Sequence, residues 1–193
     1  MAPAPRLFGD EVPPGFSYRG DFISEPDEAA LLDRIGTITF SAFEMRGVVA
    51  KRRVAFFGQS YDRGEAQPLP AFLFPLRETI ATWARVEPDA FAMALINEYP
   101  AGAPIGWHRD APQYDIVAGI SLLSECRMRF RPYRSPAAPE TSPKRTTTHE
   151  ITLERRSAYL LTGESRTSYE HHIPPVGHLR YSVTFRTLRQ SRK

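Results

Sequence analysis

The chain has 193 residues, 41% hydrophobic and 24% charged, a balance that excludes a disordered chain and a length that suits one compact domain. Its net charge of +3 and pI near 9.2 suit a polyanionic partner without requiring one. A single cysteine, Cys126, excludes an internal disulfide, and no stretch approaches the roughly 20 apolar residues of a membrane span.

Met1 to Asp10 lack the basic-then-apolar order of a secretion signal, so the expected location is the cytoplasm. The first helix is announced by Ser24, Pro26, Asp27 and Glu28, continues through Ala29, Leu31, Leu32 and Ile35, and stops at Gly36. Lys51, Arg52 and Arg53 form a short basic run. A second helix is predicted from near Pro70 to Arg85, with Phe72, Leu73, Leu76, Ile80 and Trp83 as its buried stripe. After Pro88 the texture changes to short apolar or alternating runs: Phe91 to Tyr99, Ile116 to Leu123, Arg127 to Tyr133, Glu150 to Leu153, Ala158 to Leu161 and Tyr181 to Leu188. Cys126 sits in such a strand-like stretch and reads as a buried, inert thiol. Between the third and fourth runs, Arg134 to Thr148 is rich in Pro, Ser and Thr and reads as a long exposed hairpin loop.

Helices first and many short strands afterwards predict an α+β domain in which N-terminal helices buttress a β-sandwich or jelly roll. Alternating βαβ units are disfavoured. One domain is expected over 1–193, with helices and a substrate lid to about 90 and the strand-rich core from about 91 to 189.

The chemistry begins at His108-Arg109-Asp110, which follows a turn containing Gly102, Pro104 and Gly106. A His-x-Asp pair on extended backbone turns both side chains to one face. An imidazole and a carboxylate joined by a distant histidine form the facial triad of non-heme iron(II) oxygenases. His149, His171, His172 and His178 are the later histidines. Position favours the pair at 171 and 172, just after Thr162 to Arg166 where a strand should end, although spacing alone does not choose between these neighbours. His149, His172 and His178 read as turn or surface residues. Farther on, Arg180, Ser182, Thr184 and Arg186 alternate with Tyr181, Val183 and Phe185. Two arginines on an inward face need anions, and the dicarboxylate 2-oxoglutarate supplies them, because a guanidinium matches a carboxylate bidentately and stays charged when desolvated.

Asn97-x-Tyr99, His108-x-Asp110, Gly163-Glu164-Ser165-Arg166, His171-x-Ile173 and Arg180 to Arg186 follow in order a pattern that resembles the AlkB family of 2-oxoglutarate-dependent dioxygenases. The match runs from about Ile96 to Leu188. Upstream, Arg52-Arg53-Val54, Phe57-Gly58 and Tyr61 are similar to the family's lid segment. The resemblance implies a double-stranded β-helix. It implies iron held by His108, Asp110 and His171, with 2-oxoglutarate chelating that iron and dioxygen as the oxidant. It also implies a distal carboxylate on Arg180 and Ser182, Arg186 near the chelating end, and Asn97 and Tyr99 completing the pocket. The resemblance departs at Pro112, where several members that act on nucleobases carry an acid.

The expected activity is oxidative dealkylation of N-alkylated bases in DNA or RNA by a monomer that binds nucleic acid and no membrane. Hydroxylation of a modified RNA base or of a protein side chain is the alternative, and a metal-free nucleic-acid-binding module the remote one. Lys51, Arg52 and Arg53, with Phe57 and Tyr61 as stacking partners, are the candidate substrate residues. The segment Arg46 to Tyr61 and the loop Arg134 to Thr148, with Lys144 and Arg145, are expected to line a groove leading to the iron.

Overall fold

A computed structural model describes residues 12–45, 47–59, 67–134 and 148–189. The elements are β1 (Phe16–Arg19), α1 (Glu25–Ile35), β2 (Ser41–Met45), β3 (Val48–Gly58), α2 (Phe74–Ala84), β4 (Phe91–Tyr99), β5 (Ile105–His108), β6 (Tyr114–Leu122), β7 (Cys126–Pro132), β8 (His149–Leu153), β9 (Ala158–Leu161), α3 (Gly163–Thr167), β10 (Tyr169–Ile173) and β11 (Arg180–Leu188).

Both expected helices form. Ser24 and Asp27 make a reciprocal capping box on α1, while a short 3-10 turn at Ala71–Leu73 leads into α2. The expected strands at 91–99 and 158–161 have those bounds, and the others shift by one or two residues at their ends. Five further strands, β1, β2, β3, β5 and β10, carry no long apolar alternation. A strand does end at Thr162 to Arg166 as expected, since β9 stops at Leu161, and the segment then opens a single helical turn in which Thr162 and Ser165 cap one another. The hairpin loop lies mostly outside the described residues, but β7 and β8, which it joins, do pair antiparallel.

The strands form two sheets, ordered β1-β9-β6-β11-β4-β3-β2 and β5-β10-β7-β8. From β4 onward the pairing is nested: β4 with β11, β5 with β10, β6 with β9 and β7 with β8, all antiparallel. That nesting is a long hairpin wound into a double-stranded β-helix, the expected jelly roll. Strand alternation gives the larger sheet two different faces. Ile96, Ala118, Ile120, Leu122, Val183 and Phe185 meet α1 and α2 in one apolar core. The opposite face looks into the sandwich, where Tyr99, Val117, Met128, Phe130 and Leu161 form a second core, and Val54, Met93, Leu95 and Tyr114 form a smaller third one. The buried Glu28 of α1 anchors the helix layer by accepting from the Leu123 backbone at 2.8 Å and from Arg155 at 2.7 Å.

Candidate active site

His108 and His171 are direct cross-strand partners of β5 and β10, with ring centroids 4.2 Å apart. Ile105 pairs with Ile173 in the same ladder, so three steps along β5 oppose two along β10. The extra residue is a bulge, and it lets both Ile105 and His108 face inward where strict alternation would separate them. The Gly106 carbonyl lies 2.9 Å from His108 Nδ1. A carbonyl can only accept, so Nδ1 carries the proton and Nε2 keeps its lone pair for a ligand.

Asp110 lies just beyond the strand, with Oδ2 3.6 Å from His171 Nε2. Its Oδ1 accepts two hydrogen bonds from Arg186, at 3.0 Å from Nε and 2.8 Å from Nη2. Burial alone would raise the Asp110 carboxyl, but Arg186, His171, His108 and Arg166 outweigh it and hold it well below the usual carboxylate range. His171 is pushed down to about 3, by burial first and then by neighbouring positive charge. The pair is therefore an ionised carboxylate beside a neutral imidazole, the protonation states a metal requires. Arg166 holds the loop after Asp110 in place by donating to the carbonyls of Ala111 and Tyr114. As the side chains stand, no three His, Cys, Asp or Glu groups among the described residues form a finished ligand cage. The donor set is nonetheless the right one, and no described residue donates a hydrogen bond to Asp110 Oδ2 or to either Nε2 atom.

His172 turns to the other side of β10, stacking on Trp107 at 5.0 Å, and Arg131 covers that indole at 4.3 Å. His149 packs edge-on to Tyr169, and His178 is exposed. His178 is at the surface as expected, whereas His149 and His172, expected as turn or surface residues, stand in β8 and β10 and are partly buried.

The expected co-substrate residues share the inner face. Tyr99 pairs with Arg180, and Asn97 with Ser182, across β4 and β11. Arg180 is 1% exposed, donates from Nε to Ser121 Oγ at 3.1 Å, and lies over the Tyr99 ring at 4.9 Å. Its Nη1 is buried without a hydrogen-bond partner, and no described residue offers it a carboxylate. A fully buried guanidinium in that state is a built receptor for an anion. Arg186, by contrast, already has Asp110. Asn97 donates to Ser182 Oγ at 3.4 Å and accepts from Arg52 Nε at 3.3 Å.

The substrate residues need correction. Arg52 and Arg53 do not form a common basic face with each other, because a strand sends neighbours to opposite sides. Arg52 turns inward to Asn97 and lies over Phe43 at 4.1 Å, where burial lowers its pKa. Arg53 turns outward and pairs bidentately with Glu98. Lys51 is exposed. Phe57 is 7% exposed within the helix-side core and cannot stack on a base. Tyr61, Arg46, Lys144 and Arg145 lie outside the described residues. Sequence reasoning also passed over Ser121, Arg166 and Tyr159. Ser121 and Tyr159 sit in apolar strands with nothing to mark them polar by function, and the family signature includes Arg166 but does not show that it pins the Asp110 loop.

The described residues contain no helix long and apolar enough to cross a membrane. Residues 44–189 match the family model described as the 2OG-Fe(II) oxygenase superfamily. The alkylated DNA repair protein ALKBH8 homolog of Arabidopsis thaliana is 26% identical over 182 residues, which cover 83% of this chain and 51% of that protein. The chain thus spans about half the length of that relative. The probable RNA/DNA demethylase ALKBH6 of Danio rerio is 29% identical, covering 86% of this chain and 72% of its own. Among solved structures, OsALKBH1 superposes with a TM-score of 0.66 at 13% identity over 90% of this chain and 98% of that one. A Pseudomonas putida prolyl-4-hydroxylase gives 0.61 at 14% identity over 92% and 94%. These structural likenesses are likenesses of fold.

Proposed function

The chain belongs to the 2OG-Fe(II) oxygenase superfamily and is an AlkB-like dioxygenase, and from that premise we propose that it oxidatively dealkylates N-alkylated nucleobases in DNA or RNA. The observation that carries the reading is local: His108 and Asp110 each adjoin His171, and an inward guanidinium, Arg180, is offered no anion by any described residue. In this reading His108 Nε2, Asp110 Oδ2 and His171 Nε2 hold Fe(II), Arg180 and Ser182 take the distal carboxylate of 2-oxoglutarate, and Asn97 and Tyr99 complete its pocket. Fe(II) held there would supply oxidation coupled to 2-oxoglutarate, in which dioxygen would give one oxygen atom to a substrate C–H bond and the other to succinate, with carbon dioxide released.

The protein's residues make that chemistry selective. Arg186 keeps Asp110 ionised and fixes its rotation, and the Gly106 carbonyl fixes the His108 tautomer. Arg166 holds the loop that carries the carboxylate. The apolar end of the interior, with Phe130 and Leu161, keeps bulk water from the reacting centre. A hydroxylated N-methyl group then leaves as formaldehyde without further help from the protein.

The nucleobase substrate rests on the relatives, one named as an alkylated DNA repair protein and one as a probable RNA/DNA demethylase. Pro112, where an acid would read an exocyclic amine, favours a second reading, hydroxylation of a modified RNA base or of a protein side chain without loss of carbon. Incubation with Fe(II), 2-oxoglutarate and a panel of methylated oligonucleotides tests both. Formaldehyde released in step with succinate is the expected result. Succinate and a hydroxylated product without formaldehyde support the second reading, and a protein that binds oligonucleotide but forms no succinate refutes both.

A further inference from the structure

Tyr159 of β9 is a large polar side chain in the interior that the site as described does not use. It faces Gly119 of β6 directly across the ladder. A Cβ built on Gly119 would lie 2.3 Å from the tyrosine Cζ and 2.5 Å from its hydroxyl. The phenol thus occupies the space that any side chain at 119 would fill, and Gly119 is required by close approach. The ring also lies parallel to Phe16 at 6.2 Å, which accounts for its packing. The hydroxyl makes no hydrogen bond to any described residue, and it is not sealed from solvent either, since it is not one of the fully buried unpartnered atoms. Partial exposure at an inward-facing position is what a residue lining an open cavity shows.

The register says where that hydroxyl stands. On β6, Ser121 is level with Ser182, Gly119 with Thr184, and Val117 with Arg186. Oη over Gly119 is therefore one row from the Arg180, Ser121 and Ser182 end, and one row from the Arg186 and Asp110 end. It lies between Arg180, which the proposed function assigns to the distal carboxylate of the co-substrate, and Arg186, which holds Asp110.

We infer that Tyr159 is a further co-substrate-binding residue: its hydroxyl donates a hydrogen bond to the distal carboxylate of 2-oxoglutarate beside Arg180, in a niche kept open by Gly119. The inference rests on the proposed 2-oxoglutarate site. Burial, with Asp110 and Tyr99 adding to it, pushes the phenol above its ordinary pKa, so it is a neutral donor throughout the physiological range. A neutral donor suits a carboxylate that already shares the pocket with a guanidinium, because it adds a hydrogen bond without a second buried charge to desolvate.

The test is calorimetric titration of 2-oxoglutarate into the full chain loaded with Mn(II), comparing wild type with Tyr159→Phe, which keeps the ring and its stack on Phe16. Loss of one hydrogen bond to a charged group should weaken 2-oxoglutarate binding about tenfold, with Mn(II) affinity and melting temperature unchanged. Gly119→Ala, which pushes the phenol out of its niche, should weaken 2-oxoglutarate in the same direction. Unchanged 2-oxoglutarate affinity in Tyr159→Phe overturns the inference, and so does an equal loss of Mn(II) affinity, which would mark general damage. Failure of the wild type to bind 2-oxoglutarate at all overturns the proposed site itself, a distinct outcome.

Discussion

The two faces of the larger sheet are built from the same strands and do opposite work. On β11, Tyr181, Val183 and Phe185 turn to the helices, where dispersion and burial of mostly apolar neighbours hold the layers together and the buried carboxylates, Glu28 and Glu98, are paired with Arg155 and Arg53. Arg180, Ser182, Thr184 and Arg186 turn the other way, and every one is polar and at least nine-tenths buried. Even within that inner face there is a contrast: Arg186 is satisfied by Asp110, while Arg180 keeps an unpartnered nitrogen. The apolar face supplies the stability with which the inner face holds an uncompensated charge ready for a ligand.

The comparison breaks most visibly at Arg180. Replacing it with methionine should cost about 3 to 5 kcal/mol of 2-oxoglutarate binding, while the metal-free protein becomes no less stable, because an unpaired buried charge is exchanged for apolar volume. Calorimetry for the ligand and denaturant melts for the fold check both halves. A metal-free variant that unfolds more easily by over about 1 kcal/mol would give Arg180 a structural role instead. Arg180→Lys should also bind 2-oxoglutarate less well, since an ammonium lacks the planar fork.

Phe185→Ala is the mirror experiment on the helix side. It should lower unfolding free energy by about 3 to 5 kcal/mol, the usual cost of emptying a buried aromatic site. The folded fraction should bind 2-oxoglutarate as the wild type does. A large affinity loss at low denaturant would show that the faces are coupled.

Acid sharpens the contrast, because the titrating groups are on the inner side. In metal-free protein His171 has a native pKa of about 3 against its ordinary 6.5. Between those values the unfolded chain takes up a proton that the native state refuses. Stability is therefore intact above pH 6.5 and falls as the pH drops, by at most about 1.4 kcal/mol per unit. Asp110, also depressed, adds loss of the same sign only below its ordinary range. Melts of wild type and His171→Asn from pH 7 to 5 should diverge, and parallel curves would contradict the assignment.

The smallest effect is expected at β3. Arg53 is half exposed and already paired with Glu98, so Arg53→Ala should change stability by less than about 1 kcal/mol. Arg53 engages Glu98, so Lys51→Ala with Arg53→Ala should reduce the salt slope for single-strand binding by about 0.7, one phosphate contact and not two.

Much of this division was legible in the sequence. The alternation from Arg180 to Leu188 marked both faces of β11, and Phe91 to Tyr99 marked β4. The order of His108, Asp110 and His171 pointed to the site. β5 and β10 were not legible as strands because the candidate ligands His108 and His171, with Trp107, Glu170 and His172 beside them, displace the apolar residues that would reveal a period. Their bulge depends on a cross-strand register that no local pattern encodes. The same gap explains Lys51 to Arg53: contiguous cations look like one patch until the pairing of Arg53 with Glu98 and of Val54 with Asn97 sends neighbours to opposite faces. Ser121 and Tyr159 have no individual signal, since their surroundings are set by what lies across the sheet.

The central claim is that His108, Asp110 and His171 form one metal site with 2-oxoglutarate beside it, and anaerobic titration of Fe(II) into protein saturated with 2-oxoglutarate tests it most directly. The wild type and His172→Ala should both develop the visible charge-transfer absorption of iron chelated by a 2-oxo acid, while Asp110→Ala and His171→Ala should not. A band that survives in His171→Ala and vanishes in His172→Ala would contradict the account.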